Sequence, residues 1–330
     1  MAAALRDAND PKLEVRLGAL RDLVRYARSG ESEAKAALGR ALADPADEVR
    51  ASAALALADA DVQDHLATLV SMAQHDRASR ARQFALLALG ELGTVGSEAL
   101  AAALKAACSS DVAAERFQAL LSLHQVAPAA CEPALLASLV DPDPEVRKLG
   151  FRIAEAHYAD AHPLPELVRA RARSALGGAD LKVRAAAALL LGRYGDTSGE
   201  EMLLLLLARR VPGASSEDEQ AAIDLAGELS LQAARPALAR RAFAWLARDP
   251  LAYDARIALA RMGDARARDG IVRDLDAWTF HARTLAVVAA GRARLTEAKP
   301  RLYALLAAPE RADAVAVREA LTLLGAEPPP

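Results

Sequence analysis

An all-α fold is expected here, an α-solenoid of about ten stacked helical hairpins, and three observations lead to it. The stretch "DPADEVRASAALALA" at 44–58 recurs as "DPDPEVRKLGFRIAEA" at 141–156 and "GADLKVRAAAALLLG" at 178–192. The arginine of this motif returns as Arg16, Arg50, Arg82, Arg116, Arg147, Arg184, Arg256, Arg283 and Arg318, with Gln220 in the seventh copy, at intervals of 27 to 37 residues. About a quarter of the 330 residues are Ala and only 4% are aromatic, a helix-forming profile. Units at such a period bury their apolar faces on each other rather than in one central core.

Within each copy the columns fix a helix. The residue before the arginine is Val15, Val49, Ala81, Val146, Val183 or Val317; three after it stand Ala19, Ala53, Ala85, Ala119, Gly150, Ala187 and Ala286; seven after it stand Leu23, Leu57, Leu89, Leu123 and Leu191. Those offsets share one face of a 3.6-residue helix, and the small middle residue permits close backbone approach. Asp44, Asp141 and Asp180 are placed to cap the helix start. Pro45 and Pro142 stop the preceding helix, and Glu48 and Glu145 favour its positive end. Gly90, Gly192, Gly195 and Gly263 read as helix ends.

A second amphipathic stretch separates these helices, at 32–44, 62–74, 97–108, 132–140, 199–210, 234–247 and 297–308. Each repeat is therefore an antiparallel helix pair. The motif arginine is too regular to be a solvated charge, and it is expected along the seam between repeats, paired with a turn Asp of its own or the adjacent repeat. Residues 1–9 are expected as an N-terminal tail or cap, and 10–208 as repeats 1–6 with the first helix of repeat 7. The polar insert "RRVPGASSEDEQ" at 209–220 has the composition of a hinge, 221–325 complete repeats 7–10, and 326–330 form a C-terminal tail.

The pattern of Asp, Pro, Val-Arg, spaced Ala and a terminal Leu-Gly resembles the HEAT repeat family, in the bacterial form described as phycobilisome-lyase-like. The resemblance spans about residues 10–325 and is poorest in repeat 7, where Glu219-Gln220 replaces Val-Arg. It implies a right-handed superhelix of HEAT-like hairpins with the Val-Arg helices lining the concave side. It also implies protein binding as the usual role, and it brings no catalytic residues.

The search for chemistry returns little. No GxxxxGK[ST], GxGxxG after a strand, GxSxG, HExxH or CxxC is present. Cys108 and Cys131 are too few for a disulfide framework and are not spaced as a metal knuckle. The best metal-ligating group is His157, Asp160 and His162 in "HYADAH", which reads as a helix-end loop, and no metal or cofactor is expected. Deoxyhypusine hydroxylase, an enzyme on this architecture, binds iron through His-Glu dyads, and no histidine here stands beside a Glu. The groove of the helical-repeat alkylpurine DNA glycosylases needs clustered Trp, Arg and Asp, whereas Trp245 and Trp278 are read as core filling. Bilin-lyase chemistry rests on the repeat subtype alone.

Net charge is −3, which opposes non-specific phosphate binding, although residues 231–299 carry 13 Lys and Arg against 7 Asp and Glu and are the best candidate for nucleic-acid contact. Arg169, Arg171, Arg173, Arg235, Arg240 and Arg241 form the densest basic runs and are read as solvated faces. No apolar run reaches membrane-spanning length, and a cytoplasmic location is expected.

The partner surface is sought where a column varies in chemistry beside apolar neighbours. The positions one and eight after the arginine do so, and with position five they place Gln83, Phe117, His124, Lys148, Arg152 and Glu155 on the groove side of repeats 3–5. An aromatic among polar groups has the composition of a binding hot spot. The expected function is a non-enzymatic adaptor that holds another protein.

Overall fold

The computed structural model describes residues 1–94, 97–160, 163–243 and 249–326, and these form helices and turns with no strand. Twenty α-helices alternate in two roles. The motif helices are α2 (Leu13–Arg28), α4 (Asp47–Asp59), α6 (Ser79–Leu92), α8 (Ala113–Val126), α10 (Pro144–His157), α12 (Leu181–Arg193), α14 (Ser216–Glu228), α16 (Ala252–Arg261), α18 (Phe280–Arg292) and α20 (Ala314–Leu323). Each is preceded by its hairpin partner: α1 (Ala2–Asp7), α3 (Ser32–Ala41), α5 (Leu66–His75), α7 (Glu98–Ala107), α9 (Pro128–Ser138), α11 (Glu166–Ala175), α13 (Glu200–Leu207), α15 (Arg235–Ala242), α17 (Ala265–Asp274) and α19 (Lys299–Leu306). The stretch expected as a tail or cap at 1–9 thus folds as α1, which packs on α2.

The chain divides into two compact units, Met1–Ala161 and His162–Pro330. In each, motif helices pack on motif helices in sequence order and partner helices cover one side, so the fold within a unit is an α-solenoid. The insert at 209–220 lies inside the second unit, where Ser215 and Asp218 close a capping box at the start of α14.

The seam of the first unit is a ladder of guanidinium groups. Arg16 donates to both oxygens of Asp44 at 2.9 Å, Arg50 to both oxygens of Asp76 at 2.7 Å, and Arg116 to both oxygens of Asp141 at 2.8 and 2.6 Å. Each carboxylate sits six residues before the arginine of the next repeat. The same arginines donate another Nη to the carbonyl six residues before themselves, as Arg16 does to Asp10, Arg50 to Asp44, Arg82 to Asp76 and Arg116 to Ser110. One side chain therefore ties its own turn to the next.

Ser110 stands where the third rung needs a carboxylate. Arg82 instead meets Glu115 at 2.7 Å, and the hydroxyls of Ser79 and Ser110 each donate to Glu115 at 2.7 Å, which satisfies a carboxylate that is only 6% exposed. Arg147 reaches the carbonyls of Asp141 and Pro142 in its own turn. The positions six before the following motif residues are Gly178 and Ala214, which offer no carboxylate. The Nε of Arg184 is buried without a partner among the described residues.

In the second unit the seam is rebuilt from other residues. Beside Gln220, Arg241 of α15 is buried at 7% exposure and pairs with Glu219 at 2.8 Å and Asp249 at 2.9 Å, and Arg209 joins the same two carboxylates. Arg256 pairs with Asp274 at 2.9 Å, Arg283 donates to the carbonyls of Ala277 and Arg311, and Arg318 is exposed on α20.

Two expectations are corrected. Asp44 and Asp141 do not cap a helix; the N-cap positions are Ala46 and Asp143. Each instead accepts the backbone N–H two residues on, at 2.9 and 2.8 Å, so a single carboxylate holds the turn and receives the arginine. Asp180 does cap α12. Gly90 and Gly192 lie inside α6 and α12, where a Cβ would sit 2.4 Å from the Ser122 hydroxyl and 2.9 Å from Leu225. They mark close helix approach, while Gly195 and Gly263, at φ +75° and +82°, end α12 and α16.

Two outcomes follow from the ladder. Removing one member of a buried pair leaves an uncompensated charge, so Arg50→Ala is expected to lower unfolding free energy in urea by about 3–5 kcal/mol. Arg6→Ala, whose pair with Asp7 is exposed, is expected to cost under about 1 kcal/mol. The acid limb carries the same signature. The Arg50 guanidinium holds the Asp76 carboxyl below its usual range. Burial is the largest influence on Asp141, Asp249 and Glu115 and would raise them, but hydrogen bonds from Arg116, Arg241 and Arg82, added to those from backbone N–H groups or serine hydroxyls and to the attraction of the guanidinium charges, together lower them. A depressed folded-state pKa stabilises above the unfolded value and is lost as pH falls through the folded one. Stability is expected to hold near neutrality and to drop below about pH 4, with a shallower drop in Asp76→Asn, read from urea midpoints at successive pH values.

Candidate protein-binding surface

The motif-helix layer of the first unit carries the residues singled out in the sequence. Gln83, Phe117 and Lys148 occupy equivalent positions on α6, α8 and α10 and are all half-buried. Lys148 lies 3.5 Å from Glu145, and Arg152 lies 3.9 Å from Glu155. His124 of α8 meets His157 of α10 with ring centroids 6.0 Å apart. His157 stacks edge-on with Tyr158 at 4.8 Å, and the Tyr158 hydroxyl donates to Glu132 at 3.0 Å. Burial, then the neighbouring His157, pushes the His124 imidazole down from its usual pKa. Burial and the Glu132 contact push Tyr158 up to about 12. The neutral imidazole is thus the form that this packing favours.

The column eight residues after the arginine is open only in part: Glu228 is exposed and Val24, His124 and Glu155 are half-buried. Gly90 and Gly192 are buried in it, because that position points at the next motif helix. The column one residue after the arginine also goes under at Ala51, Ala185 and Ile257. Position five is open at both ends of the chain, where Arg21, Val288 and Leu323 are exposed and Leu55, Leu121 and Arg152 partly so, but is buried at Leu189 and Leu225.

Two surfaces lie at those ends. In repeats 1 to 3 a groove of about 570 Å³ runs over α2, α4 and the start of α6, lined by Leu17, Val24 and Leu55 with Arg21, Glu48 and Arg80. At its end Arg28 donates its Nε to the Asp59 carbonyl at 2.8 Å. In repeats 9 and 10, α18 exposes Phe280, Leu285 and Val288, and α20 exposes Val315 and Leu323, at 62% and 59%.

Beside them Trp278 is 95% exposed, which overturns its reading as a core filler. It occupies the turn position five before the motif arginine, where Pro45 and Pro142 stand in other repeats. Arg283 binds its carbonyl at 3.1 Å while the indole extends into solvent. Trp245 lies outside the described residues. The pattern of α18, "FHARTLAVVAAGR", carries apolar residues around the whole helix; a helix of that kind at a surface is the legible sign of this face.

No group of three or more His, Cys, Asp or Glu able to hold a metal ion occurs among the described residues. Of the "HYADAH" group, His157 stacks on Tyr158, Asp160 is exposed, and His162 lies outside the described residues. Burial pushes the Cys108 thiol up to about 12 and Cys131 up to about 11, the behaviour of inert core thiols. No helix among the described residues is long and apolar enough to cross a membrane.

Stacked helical pairs joined by an inter-repeat ladder define an α-solenoid repeat protein. The profile describing HEAT repeats matches residues 2–90 and 36–124, so this part of the chain is built of HEAT repeats. No curated protein matches it in sequence. Among solved structures, YibA of Escherichia coli is similar at 17% identity and TM-score 0.60, over 80% of this chain and 92% of that one. A chain of the Kap95p–RanGDP structure is similar at 14% identity and TM-score 0.52, over 97% of this chain and 50% of that one. A chain of the AP-3 complex is similar at 15% identity and TM-score 0.58, over 90% and 57%. These likenesses show the fold, and this chain spans about half the length of the latter two.

Proposed function

We propose that this chain is a non-enzymatic scaffold that holds a partner protein against its motif-helix layer. The observation that carries the reading is the apolar face of repeats 9 and 10, where Leu285, Val288, Val315 and Leu323 stand exposed on adjacent helices beside Trp278. A patch of this kind on a helical-repeat surface is the composition of a protein contact, with Trp as the residue type most enriched in binding energy. The occurrence of this fold in Kap95p, which binds RanGDP, and in the AP-3 assembly supports the same reading. The half-buried row of Gln83, Phe117 and Lys148 is a weaker anchor, because its aromatic ring is already partly covered by the chain itself.

Affinity capture from a native lysate, followed by mass spectrometry, tests this. The wild-type chain is expected to retain a protein in stoichiometric amount. Trp278→Ala with Val288→Glu is expected to weaken it by about 30-fold or more, the scale of hot-spot truncation, while Phe117→Ala and Lys148→Glu lower retention less. Retention unchanged by the Trp278 and Val288 substitutions contradicts this placement of the surface.

A further inference from the structure

We propose that the cavity over the turns of repeats 7, 8 and 9 binds a small ligand bearing phosphoryl groups. It has a volume of about 640 Å³, within the range of small-molecule sites. Arg261 at the end of α16, Arg268 in α17 and Arg294 after α18 line it, with Glu228 the one carboxylate in its wall. Arg261 is paired with Glu228 and Arg268 with Glu297, so the site keeps the positive charge of Arg294 in excess, with two further guanidiniums beside it. The rest of the wall is mostly glycine, alanine and serine, which leaves the arginines room to close on a polar guest and gives an apolar one little to bury against.

The arginines are positioned rather than splayed. Arg261 gives its Nε to the Arg292 carbonyl and one Nη to Glu228 at 3.0 Å. Arg268 gives its Nε and one Nη to a single oxygen of Glu297 at 2.9 and 2.7 Å. Each retains an Nη that no described group engages. A guanidinium fixed by some of its five donors offers the others in a set direction, the arrangement that suits phosphate oxygens.

Arg294 supplies an independent observation. It occupies the left-handed position two residues past the end of its motif helix, at φ +55°, where other repeats place Gly30, Asp61, Gly195, Ser230, Gly263 or Gly325. An arginine there is strained where glycine is not. Arg209 adopts the same backbone, but its guanidinium is taken up by Glu219 and Asp249. Arg294 has no ion pair among the described residues, and its side chain stands at the wall of the cavity. Of the three cavity arginines it alone has no carboxylate partner among the described residues, so its charge is the one left for a guest.

Calorimetric titration of the full chain with inorganic pyrophosphate, at matched ionic strength, tests the proposal. One saturable site with a dissociation constant below about 1 mM is expected. Arg294→Gly and Arg268→Gln are each expected to weaken it about tenfold, by removal of a charge-assisted contact, and Arg6→Gln to leave it unchanged. Arg294→Gly relieves the backbone strain, so its thermal midpoint is expected to stay level or rise, which separates loss of the site from loss of the fold. No saturable heat, heat that disappears at matched ionic strength, or equal binding by Arg294→Gly would overturn the proposal. The titration uses no partner protein, so its outcome is independent of the scaffold reading.

Discussion

Everything in the first unit hangs on one side chain used repeatedly. On α2, α4 and α8 an arginine donates backward to a carbonyl of its own turn and forward to a carboxylate of the next, and that carboxylate also holds the turn in which it sits. A guanidinium has enough donors in a fixed fork to serve all of these acceptors at once, which neither Lys nor Gln can do. Because the pairs are nearly buried, a missing member leaves a charge in a poor solvent, so the rung sets how one hairpin meets the next. The alanine and glycine columns then allow the backbones to close to the distance that the rung dictates.

The exceptions show that the requirement is chemical rather than positional. Where Ser110 replaces the turn Asp, Glu115 arrives one residue before the next arginine and two hydroxyls complete it. Where Gln220 replaces the arginine, Arg241 enters from the partner helix and meets two carboxylates. Further on, Arg292 reaches from α18 to Asp254 at 3.0 Å and to Asp224 at 2.7 Å, crossing α16 to tie three repeats. The regular rung runs through Arg116 and ends where Gly178 and Ala214 stand in the carboxylate position. Both of those positions lie within the second unit.

The repeat and its helices were legible because two signals coincide, a 3.6-residue apolar period and an arginine at a constant offset. Helices α11 and α17 are not legible in this way, because only Val168 and Ala172 of the one and Ala267 and Ile271 of the other are buried, too sparse a stripe to read. The surface was harder. Mixed chemistry eight residues after the arginine suggested exposure, yet a glycine among varied residues reports helix contact as readily as it reports solvent. Trp278 was misjudged by residue type, although its place five before Arg283 is a turn in other repeats. The cavity arginines were invisible for a different reason: Arg261, Arg268 and Arg294 share no motif, and only the stacking of three repeats brings them to one wall.

The central claim is that the continuous rungs of the first unit make its hairpins cooperative, with the second unit, whose seam is built from other pairs, opening on its own. Native-state hydrogen exchange in increasing urea, resolved by peptide mass, addresses it directly. The account predicts that amides of α2 through α10 lose protection together, that those of the second unit do so at a different urea concentration, and that the break falls between residues 157 and 166, while the insert at 209–220 exchanges with α14. A single transition over the whole chain, or a break at the insert, would contradict it.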